Sequence, residues 1–149
     1  MMKPSDFFVM FALDGHRLAL HLSAVVRVIA AVEVTPLPGG SERVIGVINM
    51  GGKVVPVFNV RRRVHLPDRE IGPGDQFVLA RAARREVVLP VDCVFGVIEC
   101  AAEGAGEIMP GIGYAEGVAK RDDGLILIQD LEKFLSVHEE ETPGQAVGA

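Results

Sequence analysis

Tryptophan is absent from this 149-residue chain, tyrosine occurs once, and there are only two cysteines. Cys93 and Cys100 lie in apolar stretches without CxxC or Cys/His ligand spacing, so buried free thiols are expected rather than a disulfide or a metal site. No uninterrupted run of about 18 apolar residues exists to cross a bilayer as a helix. The opening Met1-Met2-Lys3-Pro4-Ser5-Asp6 meets an acid before any apolar core, which makes a poor signal peptide and points to the cytoplasm. Basic charge is also scarce. Fifteen Lys and Arg against twenty Asp and Glu leave a formal charge of −5, which argues against nonspecific nucleic-acid binding, because that needs a basic face to neutralise phosphates. Local basic spots occur at Arg61-Arg62-Arg63 and at Arg81, Arg84 and Arg85; the triple arginine reads as a solvated strand end.

Groups that could carry catalysis are scattered. His16, His21, His65 and His138 fall in turn, strand, linker and tail, and none has a second histidine at ligand spacing. Asp92 and Asp130 do not occupy the same position in the repeat described below, and Asp130 is better explained as a helix cap. Asp122-Asp123-Gly124 lacks the remaining ligands of a calcium loop and reads as a turn. Gly51-Gly52 lacks the glycine spacing and the following helix of a phosphate loop. No catalytic residue, cofactor or metal ion is expected.

What the chain does have is 49% apolar residues, 17 glycines and 9 prolines, arranged as short Val/Ile/Leu/Phe runs between turn residues. That is the pattern of an all-β protein. Strands are expected at Phe7 to Leu13, Arg17 to Leu22, Val26 to Val34, Val44 to Met50, Lys53 to Val60, Phe77 to Arg81, Glu86 to Val91, Phe95 to Cys100, Glu116 to Lys120 and Leu125 to Ile128. Asp14-Gly15 and Gly51-Gly52 suit tight hairpin turns, where both central positions can need φ > 0. Leu131, Phe134 and Leu135 fall on one face of a short terminal helix capped by Asp130.

An internal repeat organises these strands. A shift of 69 lays Phe8-Val9 on Phe77-Val78 and residues 17–29 on 86–98, with Leu20/Leu89, Val25/Val94, Val28/Val97 and Ile29/Ile98 identical. A shift of 71 lays Gly46-Val47 on Gly117-Val118, Val54 on Leu125 and Asn59-Val60 on Asp130-Leu131. The expected organisation is a first barrel over 7–66, a linker over 67–75, a second barrel with its terminal helix over 76–137, and a flexible acidic tail over 138–149. Each half, at about 60 residues, is too small to be robust alone, and packing two together supplies a shared core. The seam between them is a natural groove.

The segments Phe8 to Leu13, Gly46 to Asn49, Val54 to Val57 followed by Arg61, Val91 to Val94, Gly117 to Ala119 and Leu125 to Leu131 resemble, in order and spacing, the CheW-like family of chemotaxis coupling proteins. The resemblance spans about Phe7 to Leu135. It implies two pseudo-symmetric, five-stranded SH3-like barrels. It also implies a non-enzymatic adaptor that links a chemoreceptor's cytoplasmic tip to the regulatory domain of a CheA-type histidine kinase, meeting the membrane only through receptors.

The chain departs from the family pattern at the partner-facing positions. Asn49-Met50-Gly51-Gly52 stands where members typically carry Asn-Leu-Arg-Gly, and Arg27 stands where they carry a Glu. An arginine at 51 beside Arg27 would juxtapose like charges, so the two changes look compensatory. Asn59 replaces a usual Asp, and His21 another acid. The partner-binding face is therefore expected at Val26, Arg27 and Val28 together with Asn49, Met50, Gly51 and Gly52. Two alternatives stay open: a divergent adaptor of another chemosensory pathway or one that terminates arrays, and a small-molecule enzyme or sensor on the same scaffold.

Overall fold

A computed structural model of the chain describes residues 6–38, 43–101, 103–104, 107–109, 113–114, 117–121, 124–132 and 135. Among the described residues thirteen strands follow in order: β1 (Asp6–Leu13), β2 (His16–His21), β3 (Val25–Ala30), β4 (Val44–Met50), β5 (Lys53–Phe58), β6 (Gln76–Ala82), β7 (Arg85–Val91), β8 (Cys93–Cys100), β9 (Glu103–Gly104), β10 (Glu107–Met109), β11 (Gly113–Tyr114), β12 (Gly117–Arg121) and β13 (Gly124–Gln129). A helical turn, α1 (Val60–Arg63), follows β5, and a 3₁₀ turn (Leu22–Ala24) joins β2 to β3. The fold is all-β. The expected strand at Val26 to Val34 ends at Ala30; beyond it only Thr35 keeps a bridge, to Val47. Val60, expected at the end of a strand, opens α1 instead, because Asn59 caps it by accepting the Arg62 amide at 3.2 Å. The three short strands β9 to β11 were not expected.

Two main sheets have the orders β8-β1-β2-β13-β12-β9 and β3-β6-β7-β5-β4. Set side by side, β8-β1-β2-β13-β12 and β3-β6-β7-β5-β4 are one topology used twice. The registers agree with the repeat residue by residue: Phe8 faces His21 as Phe77 faces Pro90, Phe8 faces Ile98 as Phe77 faces Ile29, and Gly117 faces Ile128 as Gly46 faces Val57.

The division into sequence halves at 67–75 does not coincide with the division between sheets. β1 and β2, from the first half, pair with β8 and β13 from the second. β3 and β5, also from the first half, pair with β6 and β7 from the second. Each sheet is thus built from both halves, because the chain crosses over at the third strand of each repeat and its last three strands join the other repeat's first two. The ranges 7–66 and 76–137 are not separate barrels.

The burial pattern explains why the strand runs are so continuously apolar. On β6, Phe77 and Leu79 enter a core with Ile48, Val55, Val57 and Val88, while Val78, Ala80 and Ala82 enter a second core on the opposite face. That second core is shared: Phe11, Leu13, Leu18 and Leu20 of the other sheet pack into it, as do Leu131 and Leu135 from the terminal helical residues. A third core holds Phe8, Ala19, Ala119, Ile126 and Ile128. Strands covered on both faces lose the polar alternation of half-exposed ones. Asp130 caps the terminal turn by accepting the Glu132 amide at 3.0 Å; the expected contribution of Phe134, the turn residues Asp122 and Asp123, and the tail over 138–149 lie outside the described residues.

Candidate functional site

β3 and β8 each form one edge of their sheet, opposite β4 and β9, and both carry a bulge at the same place. On β3, Val25 pairs with Ala80 and Arg27 with Leu79, leaving Val26 as the extra residue. On β8, Val94 pairs with Phe11 and Gly96 with Met10, leaving Phe95 as the extra residue. A bulge turns its extra side chain out of the pleat and ends regular pairing. Val26 is 44% exposed and Phe95 55%, and Val97, two residues on, is 56% exposed. Two pseudo-equivalent edge strands therefore each present an apolar side chain to solvent at a bulge. Arg27 is exposed beside Val26, while its counterpart, Gly96, has φ +123, a conformation that favours glycine.

The expected partner face is brought only partly together. Val26 and Arg27 are exposed, but Val28 packs partly against the shared core. Asn49, Gly51 and Gly52 form the exposed tip of the β4–β5 hairpin, whereas Met50 packs partly against the Ile48 core. Both glycines have positive φ, +62 and +92, and Asn49 Oδ1 accepts the Gly52 amide at 2.7 Å, which closes the turn. β3 and β4 are the two ends of the order β3-β6-β7-β5-β4, so the hairpin tip and the Arg27 strand are not hydrogen-bonded neighbours. Phe95 and Val97 were missed, although the 69-residue shift that matches Val28 to Val97 also lays Val26 on Phe95.

The triple arginine is not a solvated strand end. Arg61 is only 8% exposed. Its guanidinium donates two hydrogen bonds to Asp14, at 2.8 and 2.9 Å, and one to Asp92 Oδ1 at 2.9 Å. Arg69 donates to the same Asp92 oxygen at 2.6 Å and to both oxygens of Asp75, at 2.9 and 3.1 Å. The remaining Asp92 oxygen accepts the Asp14 amide at 2.7 Å. Asp14 lies in the β1–β2 turn and Asp92 between β7 and β8, while Arg61 is in α1 and Arg69 in the segment expected to be a linker. The network thus ties both sheets and that segment together.

Each carboxyl in the network is held below its ordinary range. For Asp14 the hydrogen bonds from Arg61 are the main cause. For Asp92 burial pushes upward, but the Asp14 amide and the guanidiniums of Arg69 and Arg61 outweigh it. Asp75 follows the same pattern, with burial opposed by Arg69 and the Gly72 amide. A cavity of about 480 Å³ opens beside the network, with Ile45, Ile71 and Pro90 on its apolar side. Of the charged groups facing it, Arg61, Arg69, Asp75 and Asp92 are committed to one another, so they hold structure together and are not poised as an acid–base pair. Among the described residues no group of three or more His, Cys, Asp or Glu is placed to hold a metal ion, and no helix is long and apolar enough to cross a membrane.

Two substitutions relative to the family pattern have local explanations. Asn59 caps α1 through Oδ1 and also donates from Nδ2 to Asp68 at 3.2 Å, a bond that an ionised Asp could not donate. His21 Nδ1 lies 3.3 Å from Asp6 and the ring packs against Phe8, with centroids 4.8 Å apart.

Comparison with known proteins gives a consistent picture. The family model for the CheW-like domain matches residues 8–139. The chemotaxis protein CheW of Treponema pallidum (strain Nichols) is 24% identical over 140 residues, covering 88% of this chain and 82% of that protein. The chemotaxis protein CheW of Thermotoga maritima is 28% identical over 128 residues, covering 84% of each. The crystal structure of the scaffolding protein TtCheW from Thermoanaerobacter tengcongensis superposes with a TM-score of 0.74 at 27% identity, covering 83% of this chain and 87% of that one.

Proposed function

The chain belongs to the CheW-like family of chemotaxis scaffold proteins, and from that premise we propose that it is a cytoplasmic, non-enzymatic adaptor binding a CheA-type kinase regulatory domain and a chemoreceptor's cytoplasmic tip. The observation that carries the reading is the pair of bulged edge strands, with Val26 on β3 and Phe95 and Val97 on β8 exposed. Apolar side chains at a solvent-facing edge suit the apolar stripe of a partner helix, and such contacts tether without chemistry. Arg27 adds a charge that would favour an acidic neighbour on that helix. Function would then be positional: several weak contacts hold receptor and kinase together, and a change in one shifts the populations of the other.

The test is titration of the purified chain against a receptor cytoplasmic fragment, comparing the native protein with Phe95→Asp and Val26→Asp. Binding should weaken at least tenfold in each variant while the thermal midpoint stays within a few degrees. Unchanged binding would remove these edges from the interface.

A second reading, a divergent or array-terminating adaptor, is favoured by one specific feature. Arg27 is exposed where the family resemblance implies a Glu, and Gly51, exposed at the β4–β5 tip, stands where it implies an Arg. A Cβ at Gly51 would meet no atom within 4 Å, so Gly51→Arg has room, although φ +62 makes it a strained position. On the compensation argument Gly51→Arg alone should not raise affinity for a conventional receptor fragment; a rise would sink it.

A further inference from the structure

The two-fold repeat places the turn after β1 and the turn after β6 in equivalent positions, yet their charges are handled differently. Asp14 of the first turn is closed over by Arg61, which stands two residues after the cap residue Asn59. In the second turn Ala83 takes the place of Asp14, with φ +54 against +49. Arg84 and Arg85 follow it, and the residue two after the cap Asp130 is Glu132. The signs have changed places, and here no ion pair among the described residues closes the site. The side chains of Arg84 and Arg85 are exposed and have no hydrogen-bond or ion-pair partner among the described residues. Glu86 already accepts from Arg81 and from Lys53, the latter at 3.2 Å. A shallow cleft of about 690 Å³ remains, bounded by Ala82 to Arg85 on one side and by Glu132 and Leu135 on the other. Of the charged side chains that line it, Arg84 and Arg85 are basic and Glu132 alone is acidic.

The chain itself carries the complementary charge. Glu139-Glu140-Glu141 begins four residues beyond Leu135, which lines the cleft. Four residues span at most about 14 Å. We propose that the acidic run Glu139–Glu141 docks on the Arg84–Arg85 turn of its own chain and competes there with acidic segments of other molecules. The tether makes the local concentration of these carboxylates millimolar, so contacts that are individually weak can still occupy the turn. This does not depend on the adaptor role.

The test uses the full-length chain and fluorophore-labelled hexaglutamate as the probe, at low and at high ionic strength. Neutralising the run with Glu139→Gln, Glu140→Gln and Glu141→Gln should tighten hexaglutamate binding about threefold or more at low salt and should shift the backbone amide resonances of Arg84 and Arg85. Arg84→Gln with Arg85→Gln should reduce binding to one low level whether or not the tail is neutralised. A control triple, Glu33→Gln, Glu70→Gln and Glu99→Gln, removes the same charge elsewhere and should not reproduce the effect. The proposal is overturned if tail neutralisation leaves affinity and the Arg84 and Arg85 resonances unchanged, if the control triple matches it, or if the arginine variants bind as well as the native chain.

Discussion

Arg61 shows how one buried side chain can set the tolerance of this fold. It holds Asp14 and Asp92 while its own guanidinium is nearly sealed from water. Arg61→Met keeps much of the packing but leaves Asp14 without its cation and Asp92 with Arg69 alone. Removing one partner of a fully buried pair costs about 3–5 kcal/mol; because Asp14 and Asp92 are partly solvated, about 2–3 kcal/mol is expected here, read by urea denaturation at pH 7. The same network fixes a pH dependence. The folded pKa values of Asp14, Asp75 and Asp92 all lie below the ordinary value of 3.8, so in acid the unfolded chain binds more protons than the folded one. Their contribution is complete above the unfolded pKa and is lost as pH falls through the folded values. Native stability should therefore drop as pH falls below about 4, whereas the Arg61→Met profile should be flatter and meet the native curve in acid. Parallel profiles between pH 5 and pH 2.5 would contradict this role.

Individual strands and turns show what local sequence does and does not specify. Gly46 on β4 is tightly packed: a Cβ there would lie 2.3 Å from the Thr35 carbonyl oxygen, which accepts the Val47 amide at 2.9 Å. Gly46→Ala should cost about 1–3 kcal/mol through that clash, measurable as a lowered thermal midpoint, while Gly51→Ala should cost about 1 kcal/mol from its positive φ alone. Most strands, the tight turns and the repeat were legible because each is a local pattern. Strand exchange was not: a repeat shows which residues correspond, never which strands pair, and β1 could pair with either copy of the third strand. Arg61 was misjudged for a related reason. Its partners Asp14 and Asp92 are 47 and 31 residues away, while the two residues that follow it are arginines. Part of the candidate face is legible at Val26 and Arg27, and the 69-residue repeat carries Val26 onto Phe95.

At the scale of the whole molecule, the exchanged strands and the shared core make the two sheets interdependent. Residues 1–66 and 76–149, produced separately, should each lack ordered tertiary structure, because each would be missing strands of both sheets; mixing them should restore dispersed amide resonances. Independent folding of either fragment would contradict the pairing of β1 with β8 and of β3 with β6. The same interdependence means that partners docked on the β3 and β8 edges would meet one body, which suits a scaffold. The most direct measurement is calorimetric titration of the full chain against a CheA-type kinase regulatory domain, with and without a receptor cytoplasmic fragment. The adaptor account predicts saturable binding to each and a ternary complex in which neither displaces the other. Absence of binding to both, across the kinases and receptors encoded beside it, would contradict it.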